Sequence, residues 1–346
     1  FTIVTETMRV RLTSRGGEIA SVELLGFEGV GGGPVELVRE GRQGGLAVSL
    51  VEDDRNEILS GLVFMAEVDG RPAEDGREYV ASGDGVRVGF LLEAADGDFV
   101  RKTLRFGGGG YEVGLEVAVR REGALSGTDA YVLSWGCGLA FTEKDIKWDR
   151  RQSASLGRVG DENYKESLGG FGKTGRREHE GMVVWGGARN KYFLSAAIPG
   201  QKRSGSLALV GDKETDFIGW EISYSFRGDP RLVEDDYTIY LGPLDMDLLG
   251  AYGIGLERTI DLGWMRFLSV WVLRLMTFMS RFIPNYGLII IILSVLTKVI
   301  FYRLTHKSTK SMKDMQRLQP KIKELQEKYK GDKEKMNQEM MKLYKE

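Results

Sequence analysis

One lysine inside a long apolar run is the residue of this sequence best placed to do chemistry. The run begins at Tyr286, is almost wholly apolar as far as Tyr302, and holds a single full charge, Lys298. A lysine within a membrane-spanning helix costs roughly 2.5–3.5 kcal/mol on insertion scales. In a low-dielectric environment, however, a cation attracts an acidic group more strongly than it does in water. From the residues alone the favoured interpretation is a side chain that reaches toward the headgroups beside Arg303 and Lys307, and the alternative is an electrostatic site.

Two other charged motifs are interpreted as loops. Residues 170–174 read GFGKT and resemble the end of a phosphate-binding loop, but the position of the required first glycine holds Ser167. No apolar strand precedes this stretch and no helical pattern follows it. Acidic groups at residues 52–54 and 234–236 lie beside charged neighbours, as solvated turns do. Neither motif is predicted to carry a reaction.

Histidine and cysteine are too scarce for the usual catalytic and metal-binding sets. The two histidines, His179 and His306, are widely separated, and Cys137 is the single cysteine. The sequence therefore offers neither a Ser-His-Asp set nor a His/Cys metal cluster. An internal disulfide is excluded as well. We predict a protein that is not an enzyme and that needs no cofactor and no metal.

The lysine requires a helix to hold it. At ~1.5 Å per residue, ~20 residues span a hydrocarbon core of ~30 Å, which predicts a transmembrane helix over residues 284–305. Residues 261–283 show a broad apolar face with a basic stripe opposite, a pattern typical of a helix lying in the membrane interface. The alternative is an ordinary amphipathic helix packed on a core. The predicted interface residues are Trp264, Arg266, Trp271, Arg274 and Arg281.

Residues 306–346 are polar and strongly helical in composition, and they predict a helical hairpin. Gly331 and Asp332 would form its turn, and Pro320 should begin or kink a helix. Methionines at three- and four-residue intervals form an adaptable apolar surface on a basic body. That surface either packs the two helices together or binds a partner. The predicted partner-binding residues are Met312, Met315, Lys321, Met336, Met340 and Met341.

Residues 1–260 predict one large all-β sandwich domain. Short runs with a period of two recur between turn signals, and the 47 glycines of the chain are interpreted mainly as turn residues. Residues 150–180 are polar and are interpreted as a long excursion, and residues 246–260 as a short helix or linker. The predicted strands are Met8–Thr13, Leu46–Val51, Leu62–Val68, Val86–Leu92, Tyr111–Val119, Tyr131–Trp135, Tyr192–Ala197, Ser206–Val210, Phe217–Ser225 and Tyr237–Leu241.

Charge is distributed unevenly along the chain. Residues 303–346 contain 13 Lys/Arg and 7 Asp/Glu, whereas the whole chain has a net charge of −2. Basic segments next to a membrane span stay on the cytoplasmic side. The segment that begins at Arg303 is therefore predicted to be cytoplasmic, and residues 1–260 are predicted to lie outside.

Several motifs of this sequence resemble those of the YidC membrane protein insertases, in the form with a large periplasmic domain. They correspond to the exit from that domain, the start of the first core transmembrane helix and the cytoplasmic hairpin, with two weaker similarities inside the β domain. In that order they are Tyr237–Pro243 with Asp261–Trp264, Asn285–Ile292, Leu318–Ile322 with Gln338–Met341 and Leu343–Lys345, and Ser14–Ile19 with Lys191–Phe193.

The resemblance implies a protein of the bacterial inner membrane that inserts and helps fold integral membrane proteins, alone or with the Sec translocon. The family's core has five transmembrane helices around a hydrophilic groove, of which this sequence contains one. A basic groove residue, usually arginine, attracts acidic residues of the translocated segment, and its position matches Lys298. Ser294 matches a hydroxyl position of the groove wall. Lysine keeps the positive charge but lacks the planar bidentate fork of arginine.

The resemblance also implies the partners, namely nascent membrane proteins, the Sec translocon, the ribosome with signal-recognition targeting factors, and membrane lipids. The β domain is implied to be supersandwich-like and periplasmic. Two other functions stay open. One is a membrane-anchored, sugar-binding or carbohydrate-active β-sandwich protein, by analogy with sugar mutarotases of similar fold. The other is a periplasmic scaffold for envelope proteins.

Overall fold

The chain divides into two compact units, Phe1–Ile260 and Asp261–Glu346. The computed structural model describes residues 1–39, 44–53, 55–94, 96–172, 175–226, 231–263, 265–328, 337–338 and 341. All the described strands belong to the first unit, and the described part of the second unit is helical. The predicted fold class is thus confirmed in its coarse form, a large mostly-β sandwich followed by helices.

The strands of the first unit mostly place buried and exposed residues on alternate positions. In the second strand, for example, Met8, Val10 and Leu12 are buried, whereas Arg11 is exposed. Such alternation places one face of each strand in a core. The strands are β1 Thr2–Val4, β2 Met8–Thr13, β3 Glu18–Glu28, β4 Pro34–Glu36, β5 Gly45–Glu52, β6 Arg55–Ile58, β7 Met65–Val68, β8 Arg71–Pro72, β9 Glu78–Val80, β10 Val86–Glu93, β11 Phe99–Phe106, β12 Glu112–Arg120, β13 Ala130–Trp135, β14 Ala154–Val159, β15 Glu162–Ser167, β16 Gly175–Arg189, β17 Phe193–Pro199, β18 Ser204–Asp212, β19 Phe217–Ser225 and β20 Leu232–Pro243.

Two sheets share the long strand β16. One runs in the order β9, β1, β2, β3, β5, β13, β19, β18 and ends on the first half of β16. The other runs β8, β7, β10, β11, β12, β20, β17 and continues through the second half of β16 to β14 and β15. Only β1 and β9 pair in parallel among these strands. Gly181 lies where β16 changes sheets, and its φ of 143° suits glycine.

The hydrophobic core fills the space between the sheets. Its largest fully buried side chains include Trp135, Trp220 and Phe90. The indole N–H of Trp135 donates to the carbonyl oxygen of Gly138 at 2.9 Å, so the polar edge of that ring is satisfied inside the core. Each aromatic side chain of this size removes a large apolar area from water, which stabilises the packing of the two sheets.

Two short helices interrupt the strands. Helix α1, Ile146–Gln152, begins at Asp145, whose carboxylate accepts a hydrogen bond from a backbone N–H two residues further on. Helix α2, Met246–Gly250, begins in the same way at Asp245, so this stretch contains the short helix that the sequence predicted. Single 3-10 turns occupy Leu59–Gly61, Ala124–Gly127, Leu168–Gly170 and Leu256–Thr259.

Each of the ten predicted strands overlaps an observed one, and Met8–Thr13 and Phe217–Ser225 have the predicted bounds. The interpretation of residues 150–180 as an excursion is wrong, because this stretch contains β14, β15 and the start of β16. Strand β15 pairs only with β14, and most of its residues are exposed. A strand at the edge of a sheet does not need an apolar face, so its sequence reads as a loop.

The described part of the second unit contains two helices that contact each other, α3 over Arg266–Ser280 and α4 over Tyr286–Lys328. No helix in the described part of the chain combines the length and the apolarity that a membrane crossing requires. The transmembrane helix predicted over residues 284–305 is not confirmed.

Helix α4 crosses the predicted boundary between the span and the hairpin. It continues without a break past residue 305 and through Pro320, where the sequence predicted a helix start or a kink. Residues 288–319 contain neither glycine nor proline, so nothing in the local sequence ends the helix there. The turn predicted at Gly331 and Asp332 lies outside the described residues.

Candidate functional site

The two predicted groove residues lie on one face of α4. Ser294 and Lys298 are four residues apart, which places their side chains one above the other. The helix begins after Asn285, whose side-chain oxygen accepts a hydrogen bond from the backbone N–H of Leu288 at 3.2 Å. Ser294 and Lys298 are both exposed. Their groove role stays a prediction, but the helix presents the two groups together.

The surface around Lys298 is apolar. Val295 and Phe301 lie about one turn away on either side and are exposed, as are most side chains of this part of the helix. The hydroxyl of Thr297 donates back to the carbonyl oxygen of Leu293 at 2.9 Å, so it does not offer a polar surface. A helix that is hydrophobic all round requires cover from lipid or from other helices. The ammonium group of Lys298 would thus meet an acidic partner in apolar surroundings.

Helix α3 exposes large aromatic side chains together with arginine. Phe267 is 84% exposed and Trp271 is 61% exposed. Arg274 and Arg281 are exposed as well. Trp264 lies outside the described residues, and the side chain of Arg266 is not described. The exposed residues of α3 therefore include three of the five predicted interface residues.

The arrangement on α3 differs from the predicted basic stripe opposite an apolar face. Phe267, Trp271, Arg274 and Phe278 follow each other at intervals of four, three and four residues, which places them on one face. Phe267, Trp271 and Arg274 line the same shallow cavity of about 350 Å³. Arg274 therefore lies beside these aromatic side chains and not opposite them, and the interface role of the arginines stays a prediction. The combination of exposed aromatic rings with guanidinium groups remains one that suits a membrane interface.

The predicted partner-binding methionines are only partly described. Met312 and Met315 lie on α4 and are exposed, and Met341 is exposed as well. Lys321 belongs to α4, but its side chain is not described. Met336 and Met340 lie outside the described residues. The exposed thioethers give a flexible apolar surface, and its role in partner binding stays a prediction.

The sequence did not predict a cleft in the first unit. The cleft has a volume of about 610 Å³ and opens beside the end of β20. Aromatic side chains and carboxylates share its lining, which includes Phe27, Phe193, Tyr192, Glu143 and Asp245. Its residues come from distant parts of the sequence. Two family motifs, Lys191–Phe193 and Tyr237–Pro243, contribute residues to its lining, but neither motif by itself predicts a cleft.

Glu143 is a carboxylate of this cleft that neighbouring side chains hold in place. It accepts hydrogen bonds from the hydroxyl of Tyr192 at 2.6 Å and from the ammonium group of Lys191 at 2.9 Å. These two donors, the tyrosine first, lower the pKa of Glu143. The carboxylate is therefore ionised and held in place at neutral pH. It can accept hydrogen bonds from a ligand.

Comparison with known protein families shows to which family the chain belongs. A family model for the YidC periplasmic domain matches residues 1–275, and the model for the 60Kd inner membrane protein matches residues 278–346. The chain belongs to the YidC family. The first unit of the fold lies entirely within the match to the YidC periplasmic domain, and Ser294 and Lys298 lie within the match to the inner membrane protein.

Curated YidC relatives cover the whole chain. A membrane protein insertase YidC from Chlorobaculum parvum is 30% identical over 353 residues, which include 100% of this chain and 59% of the relative. One from Geobacter sulfurreducens is 32% identical over 356 residues, with 98% of this chain and 62% of the relative covered. The chain therefore spans about three fifths of the length of these YidC proteins.

Among solved structures, an alpha-N-acetylgalactosaminidase from Bifidobacterium bifidum is 14% identical to this chain. The structural match covers 75% of this chain and 39% of the galactosaminidase chain, with a TM-score of 0.48. At that identity the similarity concerns the fold alone. The assignment to the YidC family rests on the family models and on the sequence relatives.

Proposed function

We propose that this chain belongs to a membrane protein insertase and chaperone of the bacterial inner membrane that performs no covalent chemistry. The observation that carries this proposal is the exposed Lys298 on the apolar surface of α4, in a chain of the YidC family. Its action is electrostatic and hydrophobic. It draws acidic and apolar parts of a substrate into the bilayer and needs no cofactor.

The membrane placement follows from the second unit. In the proposed arrangement residues 261–283, which contain α3, lie in the membrane interface, and residues 284–305 lie within the bilayer beside further helices of the complete insertase. Exposed Phe267 and Trp271 support this assignment, because large aromatic side chains are favourable at the lipid–water interface. Residues 1–260 are periplasmic and residues 306–346 are cytoplasmic, in agreement with the basic charge of the latter.

Lys298 and Ser294 act together on the substrate. An acidic residue of a translocated segment loses water as it enters the bilayer, and the ammonium group of Lys298 compensates part of that cost. Two opposite charges 4 Å apart attract by about 4 kcal/mol at an effective dielectric constant of ~20, compared with ~1 kcal/mol in water. The hydroxyl of Ser294, one turn away, offers a second polar contact to the same segment.

The cytoplasmic end of the chain is proposed to receive the substrate. Exposed Met312, Met315 and Met341 provide an apolar surface that adapts to different sequences. Nascent membrane proteins would contact this surface first. The ribosome with its signal-recognition targeting factors and the Sec translocon are the further proposed partners, and the basic charge of residues 306–346 suits an RNA-rich surface.

Substitution of Lys298 tests the proposed function in a bacterium depleted of its own insertase. With Lys298→Arg, insertion of substrates with acidic translocated tails should continue, because the charge is kept. With Lys298→Ala we expect insertion of these substrates to fall at least about tenfold, equivalent to about 1.4 kcal/mol of lost attraction. Lys298→Glu should be more severe, since it adds repulsion. Protease protection of the translocated tail measures the result.

Two controls accompany this experiment. Substrates with uncharged tails should insert almost normally with every variant, and Arg71→Glu, an exposed charge reversal on β8 of the first unit, should leave insertion unchanged. Normal insertion of acidic substrates by Lys298→Glu would disprove the electrostatic role.

The cleft of the first unit favours a second candidate, a periplasmic sugar-binding function. Its combination of aromatic rings with the carboxylates of Glu143 and Asp245 is suited to stacking on sugar rings and to accepting hydrogen bonds from their hydroxyl groups. Glycan-array binding that disappears with Tyr192→Ala would support this function. An absence of glycan binding, combined with a loss of insertion on Lys298→Glu, would leave the insertase proposal alone.

A further inference from the structure

Helix α1 carries an unusual exposed surface on the first unit. Ile146 is 53% exposed and Trp148 is 52% exposed. Lys147 and Arg151 are exposed beside them, and the guanidinium carbon of Arg151 lies 5.7 Å from the centre of the Trp148 ring. We call these four residues the α1 surface. A tryptophan and an isoleucine among basic side chains are a combination found where proteins contact lipid headgroups.

The inner side of α1 is fixed to the domain, so this outer surface is held rigidly. Asp149 is fully buried and accepts hydrogen bonds from the backbone N–H groups of Thr142 at 2.6 Å and Lys191 at 3.0 Å. Arg150 forms an ion pair with Asp216 at 2.5 Å. Because Asp149 and Arg150 make these contacts, the exposed isoleucine and tryptophan do not result from a loosely attached helix.

The α1 surface lies beside the point where the chain leaves the first unit. Arg189 is buried, and one of its nitrogens donates to the carbonyl oxygen of Thr259 at 2.9 Å. A second nitrogen of the same guanidinium donates to the side-chain oxygen of Gln152, the last residue of α1, at 3.1 Å. Thr259 precedes the end of the first unit, Ile260, by one residue. The end of α1 and the exit of the chain are therefore connected through one side chain.

The charges on this part of the domain favour an anionic partner. The carboxylate of Asp145 caps α1, that of Asp149 is buried, and that of Glu143 is paired with Lys191. The positive groups of Lys147 and Arg151 are exposed, and they dominate the outer side of the helix. Each Lys or Arg near an anionic bilayer contributes an attraction that corresponds to about fivefold in binding.

We propose that the α1 surface docks on the outer face of the bilayer, with Trp148 and Ile146 at the headgroup level and with Lys147 and Arg151 on anionic lipids. This proposal rests on the membrane placement given under the proposed function, because that placement brings the exit of the first unit close to the bilayer. Docking gives the β domain a second attachment besides its covalent connection. It thereby fixes which side of the domain faces the membrane.

A fluorescent reporter on α1 tests the proposal in the full chain. Cys137 is buried and therefore does not react readily with a labelling reagent, so Ile146→Cys introduces one accessible thiol for an environment-sensitive dye. Vesicles that contain phosphatidylglycerol should shift the dye emission to the blue, and spin-labelled lipids should quench it. Pure phosphatidylcholine vesicles should give a much smaller change.

Variants of the α1 surface separate the contributions of its basic side chains and of Trp148 to docking on vesicles. In the Ile146→Cys background, Lys147→Gln combined with Arg151→Gln should reduce the docked population relative to the undocked one about 25-fold, which removes most of the signal. Trp148→Ser should also reduce it. These three residues are exposed, so the thermal unfolding temperature should stay the same.

Two further reporter positions make the outcomes distinct. Val80→Cys labels β9, at the far edge of its sheet, and should stay water-exposed. Phe267→Cys labels α3 and should respond to vesicles. A response at residue 267 without one at residue 146 would overturn the α1 proposal and leave the membrane placement intact. A lack of response at both would overturn both. If the dye emission at residue 146 shifts when the protein concentration is raised without vesicles, then protein and not lipid covers α1. That result would also overturn the α1 proposal.

Discussion

Lys102→Met is expected to lower the free energy of unfolding of the first unit by about 3–5 kcal/mol. Lys102 is fully buried, and its ammonium group donates to the carbonyl oxygens of Gly17 at 2.5 Å, Leu46 at 2.6 Å and Gly16 at 3.3 Å. All three acceptor residues have positive φ angles. Methionine fills a similar volume but leaves these carbonyl oxygens buried without a donor. Urea unfolding followed by circular dichroism measures the loss.

Lys102 should also make the free energy of unfolding of the first unit depend on pH above neutrality. Burial lowers the pKa of Lys102 to about 8, although the nearby carboxylate of Glu18 acts in the opposite direction. Between pH about 8 and about 10.4, the unfolded chain binds a proton that the folded chain has released, so the stability contributed by this group rises with pH. The slope is about 1.4 kcal/mol per pH unit within that window. The Lys102→Met variant should lack this slope of stability against pH.

Arg101→Met is the matched control for this experiment. Arg101 precedes Lys102 on β11 but points outward, where it pairs with Glu116 and Glu234 near solvent. Exposed ion pairs contribute about 0–1 kcal/mol, so this variant should lose little stability and keep the alkaline slope. Equal losses from the two substitutions would show that the buried ammonium group has no special role.

Asp98→Ala is expected to cost about 3 kcal/mol, because one buried carboxylate organises a whole connection between strands. Asp98 accepts hydrogen bonds from the backbone N–H groups of Glu122 at 2.6 Å, Gly123 at 2.9 Å and Leu125 at 2.7 Å. The side chain is fully buried. Asp98→Asn keeps the shape but loses the charge, so its loss should be smaller. Thermal unfolding at neutral pH compares the two variants.

Acid should remove the contribution of Asp98 in the wild-type protein. Burial raises the pKa of this carboxyl, but the backbone donors of Leu125, Glu122 and Gly123 outweigh burial, and the net pKa is lowered. The stabilisation is therefore complete above the unfolded value of about 3.9 and is lost as pH falls through the folded value. Asp84→Ala, in an exposed turn, serves as the control and should keep the wild-type acid profile. Identical acid profiles for wild type and Asp98→Ala would contradict this assignment.

Strand β11 shows why sequence patterns located many strands but missed others. Its inward positions are occupied by Val100, Lys102, Leu104 and Phe106, all of which are buried. A lysine among inward positions breaks the apolar alternation by which strands are recognised. Its partners are carbonyl groups 56 to 86 residues away in sequence, so no local pattern indicates that the charge is satisfied.

The candidate site shows the same division between local and distant information. The common face of Ser294 and Lys298 follows from helix geometry over four residues, and the sequence alone was sufficient to predict it. The cleft with Phe27, Glu143 and Phe193 is formed by strands and loops far apart in sequence, and it could be found only in the folded domain. A general preference of proline predicts a helix start or a kink at Pro320, and helix α4 does not start there but continues through this residue.

The continuity of α4 has a mechanical consequence. Its 43 residues correspond to a rod of about 64 Å, and neither glycine nor proline interrupts residues 288–319. Lys298 and Met312 are 14 residues apart, about 21 Å along the axis and nearly in the same rotational phase. The distance and the relative direction of the two side chains are therefore set by one continuous helix, with no glycine or proline between them to change either.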